Sequence, residues 1–335
     1  MPLTLKDIAR MAGVAESTVS RAINNKPGVG EETRKKIMEI VRQYNYQPNQ
    51  LARGLAIKET RMLALIVADL SPADYQIIKS IEAYANEQGY NCLICNTDNN
   101  LQKEEAYLQL LSSRRVDGAV IIGGDLANIN IINTALNKNG LMVLVNCLAE
   151  ELLIPTVLVD NAQGGYLAAS HLLQQGLKKI AIVMGSSKEF LESEKLAGYL
   201  QALAEYGLEV EERYILETDG SREGGYEGFI RLLEQGDLPE AFFVTRDILA
   251  VGLIDAIKMG GYLIPEDFSI VGYGESIISS VINPPLTVVA EPLEELGRYA
   301  AKYIIEVING RNPEEMIKVL EPVLKIGESS VSRTE

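Results

Sequence analysis

The sequence predicts an α/β protein in which a small N-terminal helix-turn-helix head precedes two doubly wound parallel-sheet subdomains. Three observations carry that expectation. Helical apolar spacing organises the first 46 residues, apolar runs alternate with helical stretches from Met62 onward, and the chain is 335 residues long. At about 150 residues per domain, such a length suggests two to three domains. A hydrophobic content of 47% against 23% charged residues can fill sizeable cores, which excludes a disordered chain. No apolar run approaches the roughly 18 residues of a membrane span, and the segment Met1 to Asp7 has no apolar leader character. A soluble, cytoplasmic protein with no membrane partner is therefore expected. Three cysteines cannot form an even disulfide set and are expected as reduced thiols.

In the head, Leu5, Ile8 and Ala9 recur at i, i+3, i+4 until Gly13 supplies a turn. Val19, Ala22 and Ile23 repeat that spacing, leaving Glu16, Ser17, Ser20 and Arg21 on an outward, hydrogen-bonding face. A third helix opens at Gly30-Glu31-Glu32, with glycine as cap and acids at the N-terminus, and continues through Ile37, Ile40, Val41 and Tyr44. Helical spacing alone fits a generic helical cap as well as a DNA-reading unit.

The body predicts strands at Leu63–Ala68, Cys92–Asn96, Gly118–Ile122, Leu141–Asn146, Thr156–Asp160, Ile180–Met184, Ala241–Val244 and Ser269–Gly272, with helices between them. Apolar runs of this length, separated by helical stretches, indicate buried parallel strands. Ligands of such sheets bind beyond the carboxyl ends of the strands, so a cleft between two of them is the natural small-molecule site.

Enzymatic constellations are weak. Cys92 and Cys95 have metal-like spacing, but on a strand residues i and i+3 point to opposite faces, so they cannot share one zinc. His171 is the only histidine, which leaves neither a zinc cluster nor a catalytic triad to build on. Gly272-Tyr273-Gly274 lacks the third glycine of a dinucleotide fingerprint. No metal, no cofactor and no enzyme are expected.

Charge is distributed unevenly. The net value of −15 conceals a head, residues 1–60, with ten Lys/Arg against six acids, or +4, and a remainder at −19. A basic head on an acidic body suits a local DNA contact without general adhesion to phosphate.

Similarity separates the two readings of the head. Thr4-Leu5-Lys6-Asp7-Ile8-Ala9, Gly13-Val14, Thr18-Val19-Ser20-Arg21, Asn24, Thr33-Arg34, Tyr46-Gln47-Pro48-Asn49 and Ala52-Arg53-Gly54-Leu55 occur in order without a gap. This string resembles the head of the LacI/GalR family of bacterial repressors. The resemblance implies that residues 16–24 lie in the major groove, with Glu16, Ser17 and Arg21 reading bases. Thr4, Thr18, Ser20, Asn24, Thr33 and Tyr46 would anchor phosphates. Ala15 departs from the usual capping serine. Residues from Asn49 to Ile57 resemble the hinge helix, which folds on DNA and inserts a leucine, here Leu55, into the minor groove. A plain linker is the alternative, and Gly54 favours it.

The body continues the match through Asn96-Thr97-Asp98, Arg115-Val116-Asp117-Gly118, Val159-Asp160-Asn161, Leu196-Ala197-Gly198-Tyr199, Pro265-Glu266-Asp267, Pro284-Pro285-Leu286-Thr287 and Glu295-Leu296-Gly297. These resemble the family's regulatory core, of periplasmic-binding-protein type, in which the chain crosses between subdomains three times. The implied organisation is a DNA-binding domain at 1–46, a hinge at 47–60, one subdomain at 61–160 with 291–321, and another at 161–290 with 322–328. The implied partners are palindromic operator DNA, a small-molecule effector (a sugar, a phosphorylated sugar or another metabolite), and a second copy in a homodimer or a tetramer.

Effector candidates implied by the resemblance are Tyr75, Asn146, Asp160, Ser193, Arg246, Asp247 and Glu275. Sugar-binding members carry an arginine at position 193, an Asn-Asp pair at 246–247, Asp at 274 and an aromatic near 220. This chain has Ser193, Arg246-Asp247, Gly274 and Gly220. Three readings stand: Arg246, with Arg222 or Lys188, receives an anion; a protein partner controls the core, as in the catabolite-control branch; or Arg246 merely pairs with Asp247 or Glu275.

Overall fold

The computed structural model describes residues 3–44, 46, 59–124, 129–138, 140–149 and 152–330. Two compact units divide at Thr60 and Arg61. The proposed hinge residues 47–58, including Asn49 and Leu55, lie outside the described residues.

Among its described residues the first unit has three helices, α1 (Leu5–Ala12), α2 (Glu16–Ile23) and α3 (Glu31–Gln43). Thr4 and Asp7 start α1 reciprocally: Asp7 N–H donates to the Thr4 hydroxyl at 3.3 Å, and Thr4 N–H donates to the Asp7 carboxylate at 3.0 Å. Gly13, at φ +72°, closes it in a left-handed conformation that side chains resist. α2 starts at Ala15 without a side-chain cap. Ile8, Ala9, Ala12, Val19, Ala22 and Ile37 form a small core, against which Tyr46 packs. Two basic side chains staple this unit: Arg34 donates to the Ala22 carbonyl at 2.9 Å and Lys36 to the Ala12 carbonyl at 3.0 Å, satisfying carbonyls at helix C-termini.

The second unit holds two six-stranded sheets. One comprises β1 (Met62–Val67), β2 (Asn91–Asn96), β3 (Gly118–Ile122), β4 (Met142–Val145), β5 (Thr156–Val159) and β11 (Ile317–Leu320), in the order β11-β5-β4-β3-β1-β2 and all parallel. The other comprises β6 (Ile180–Met184), β7 (Ile215–Glu217), β8 (Ala241–Val244), β9 (Ser269–Tyr273), β10 (Thr287–Ala290) and β12 (Val323–Lys325), in the order β12-β10-β9-β8-β6-β7. Within it, β12 runs antiparallel to β10. The chain thus passes between sheets after β5, β10 and β11. β7 was not visible in the sequence, because three residues are too few to show a period.

Helices cover both faces of each sheet. On the first, α4 (Pro72–Glu87) and α12 (Leu293–Ile308) bury Ile77, Ile81, Leu296 and Ile304 with Leu63, Leu65 and Val120. The opposite face packs under α5 (Leu101–Ser112) and α6 (Ile129–Asn137). Cys92 joins the first of these clusters and Cys95 the second, so the strand alternation does put the two thiols on opposite faces. α4 begins at Pro72, where Ser71 and Asp74 form a capping box.

The second sheet lies between α7 (Asn161–Gln174) with α8 (Phe190–Glu205) on one face, and α9 (Arg222–Gln235) with α10 (Asp247–Met259) on the other; the short α11 (Ile277–Val281) follows β9. α7 and α8 cross at backbone contact. A Cβ placed at Gly198 would lie 1.8 Å from the Ala162 carbonyl oxygen, so only glycine permits that approach. His171, on α7, meets the Ser330 hydroxyl at 2.9 Å and helps fasten the last described residues. Burial lowers its pKa, opposed by the hydrogen bond to Ser330.

Candidate functional site

Two places in the molecule present polar chemistry, and each is built differently. In the head, α2 buries Val19 and Ala22 and turns Glu16, Ser17 and Arg21 outward, all exposed. Among the described residues, the Arg21 side chain makes no hydrogen bond or ion pair within the head. Thr18, Ser20, Asn24 and Thr33 are half-buried around that face. Asn24 caps α2 by donating to the Ser20 carbonyl at 2.8 Å. The Thr4 hydroxyl donates to Asp7 at 2.6 Å, so it must exchange that bond to reach a phosphate.

The second place lies at the carboxyl ends of β6, β8 and β9, where Gly185, Thr245-Arg246 and Gly274 follow the strands. Its centre is Glu192, 1% exposed. Its carboxylate accepts from the Thr245 hydroxyl at 2.5 Å, Gly185 N–H at 3.0 Å, Arg246 Nε at 3.1 Å and Lys195 at 3.4 Å. Burial alone would raise the Glu192 pKa, but Lys195, Arg246 and the Thr245 hydroxyl outweigh it and hold the group below its ordinary value. Arg246 also pairs with Glu189 through Nη2. Burial opposes the charge on Arg246, and the two carboxylates reverse that and raise its pKa.

Lys195 is equally engaged. It donates to the Thr245 carbonyl at 3.2 Å and lies 4.2 Å from the centroid of the Tyr273 ring. Asp247 opens α10, and one of its oxygens is buried without a hydrogen-bond partner among the described residues. Burial pushes this carboxyl up to about 6, against the Ser276 hydroxyl and Lys195. Glu291 is raised too, first by burial and then by Asp247, Asp74 and Glu192, with Lys195 opposing. Carboxyls from both sheet layers therefore share one electrostatic neighbourhood. The layers also touch directly, where the Gln76 amide donates to the Glu275 carbonyl at 3.2 Å.

The sequence candidates divide accordingly. Arg246 and Asp247 belong to this cluster. Arg246 pairs with neither Asp247 nor Glu275, which corrects that expectation, because α8 brings Glu189 and Glu192 across the end of β8. Glu275 instead pairs with Lys325 at 2.5 Å. Asn146 takes a left-handed φ of +52°, and its side chain accepts from Val159 N–H at 3.0 Å. Asp160 caps α7 at Gln163 N–H, and Ser193 donates to the Phe190 carbonyl at 2.7 Å. Tyr75 is 64% exposed on α4. Arg222, a second candidate for an anion, pairs with Asp255, while Lys188 is exposed.

Sequence reasoning missed Glu189, Glu192, Lys195 and Thr245. One signal was available: Glu189, Glu192 and Lys195 fall three residues apart, a charged stripe on one side of a largely apolar helix.

Residues 4–49 match the bacterial regulatory proteins of the lacI family, and residues 169–330 match a periplasmic binding protein-like domain. The chain is 35% identical over 330 residues to the ribose operon repressor of Haemophilus influenzae, spanning 98% of this chain and 99% of that protein. It is 33% identical over 328 residues to the HTH-type transcriptional repressor PurR of Photobacterium profundum, spanning 97% and 98% respectively. Its fold matches a crystal structure of the lac repressor dimer bound to operator and the anti-inducer ONPF, with a TM-score of 0.89 and 25% identity. That likeness covers 99% of this chain and 100% of the other.

Proposed function

The chain belongs to the lacI family of bacterial regulatory proteins, and from that premise we propose that it is a dimeric, sequence-specific transcriptional repressor. It binds palindromic operator DNA in the cytoplasm and responds to a small-molecule effector held between its two sheet layers; it has no catalytic role. The observation that carries this reading is the outward face of α2, where Glu16, Ser17 and Arg21 stand exposed beside a fully packed inner face. An α-helix with such a face fits the major groove, where arginine meets guanine in bidentate fashion and glutamate accepts from cytosine N4.

Residues 1–46 form the DNA-binding domain in this account, and 47–60 the hinge, with Asn49 and Leu55 at its contact with DNA. The effector lies among Tyr75, Asn146, Asp160, Ser193, Arg246, Asp247 and Glu275. The core divides into 61–160 with 291–321, and 161–290 with 322–328. Effector and operator affinities are linked through the conformations of the core, so each changes the other by the same factor.

A gel shift over a salt series tests the proposal. Binding to a palindromic site should fall steeply as salt rises from about 50 to 200 mM, as release of counterions requires, yet outcompete random duplex throughout. Equal affinity for palindromic and random DNA would leave the chain a receptor without operator recognition.

A further inference from the structure

We propose that Arg246 determines the specificity of the cleft, and that it selects uncharged, hydroxylated ligands against phosphorylated or carboxylated ones. This rests on the reading of the cleft as the effector site. An arginine in a ligand cleft ordinarily suggests an anion hook, because its guanidinium matches phosphate and carboxylate. Here most of that capacity is already occupied. Nε is held by Glu192 at 3.1 Å and Nη2 by Glu189, so two of the three guanidinium nitrogens face protein carboxylates.

The guanidinium is also confined on two sides. A Cβ at Gly185 would come 2.7 Å from Nη2, and one at Gly220 would come 2.7 Å from Nη1. A side chain at either position would crowd the guanidinium where it now lies, and Gly220 also adopts φ +78°, where a side chain is strained. Gly185 N–H bonds the same Glu192 carboxylate that bonds Arg246, so the slot and the ion-pair hub are one construction. Rotation toward an incoming anion would break two charged contacts and leave Glu192, which is 1% exposed, with Lys195 as its one charged partner among the described residues.

The surrounding charge points the same way. Lys195 is the other cation of the cluster and is bound by Glu192 and the Thr245 carbonyl. Against these two cations stand Glu189, Glu192, Asp247, Glu291 and Asp74. A phosphate would give up its hydration to enter a field of its own sign. A ligand hydroxyl that reached it would, in contrast, satisfy the buried Asp247 oxygen that has no hydrogen-bond partner among the described residues.

The test uses the full chain and three probes at constant ionic strength set with chloride: inorganic phosphate, glucose 6-phosphate and glucose. Thermal shift and calorimetry are read for wild type, Glu189→Gln, Arg246→Ala and the double variant, with circular dichroism confirming folding. Wild type should show no saturable response to either anion. Glu189→Gln, at the more exposed of the two partners, frees Nη2 and should gain affinity for phosphate and glucose 6-phosphate by at least about tenfold, or about 1.4 kcal/mol. Adding Arg246→Ala should abolish that gain. Wild-type binding of glucose 6-phosphate in preference to glucose, lost in Arg246→Ala, would overturn the proposal, as would a Glu189→Gln variant that gains nothing. Saturable binding of any probe that is indifferent to both substitutions would instead remove the effector site from this cleft, and the proposal with it.

Discussion

Arg21 and Arg246 are both arginines at a helix end, one in the last turn of α2 and the other at the start of α10. Arg21 is exposed and makes no ion pair among the described residues, whereas Arg246 is fixed by Glu189, Glu192 and two glycines. The head keeps the outward groups of α2 exposed and assigns structural work to others, Arg34 and Lys36, which staple helix ends. The cleft instead ties its charges to one another. A residue type therefore says little about a role until its partners are known.

The largest effect should come from the hub of the cleft. Glu192→Ala removes the acceptor of Arg246, Lys195, Thr245 and Gly185 together, and breaking a buried pair in this way costs about 3–5 kcal/mol. Thermal denaturation checks it; a loss as small as that of a surface substitution would mean that the cleft charges are as free as those of the head. Arg21→Ala should act oppositely, leaving the melting temperature unchanged and removing about 1–3 kcal/mol of discrimination at one base pair per half-site, read from binding to single-substituted sites.

Asp247 sharpens the comparison through pH. Its carboxyl is raised in the fold to about 6, above its ordinary 3.8. The stability from holding it protonated is present below the unfolded value and is lost as pH rises through the folded one. Asp247→Asn should therefore be more stable than wild type at about pH 7.5, by about 1 kcal/mol after allowing for partial exposure, with the gap narrowing as pH falls below 6. Melting curves over this range give the answer, and a gap independent of pH would show that the carboxyl is already compensated. The smallest effect should be Ala15→Ser, which supplies the missing cap of α2 and should stabilise the head by up to about 1 kcal/mol without altering base preference.

How far each region was legible follows from the same contrast. In the head, the outward face of α2 is written in one short segment: Val19 and Ala22 point in, so Glu16, Ser17 and Arg21 point out, and local periodicity is enough. The sheets were legible for a similar reason, since buried parallel strands such as Gly118–Ile122 are continuous apolar runs. Pairing at the carboxyl ends of the strands was not. Glu192 and Arg246 are 54 residues apart and meet only because α8 begins where β8 ends, at the carboxyl end of the strands. Periodicity carries no information about that meeting, which is why the sequence offered Asp247 and Glu275 as partners of Arg246 but not Glu189 or Glu192.

The most direct measurement is selection of binding sites from a randomised duplex library, run in parallel with wild type and Arg21→Ala. The account predicts that wild type recovers two symmetric half-sites, and that Arg21→Ala recovers the same palindrome with preference relaxed at one position in each half. Recovery of no common sequence by wild type, or of an unchanged preference by Arg21→Ala, would contradict the claim that the free face of α2 reads DNA.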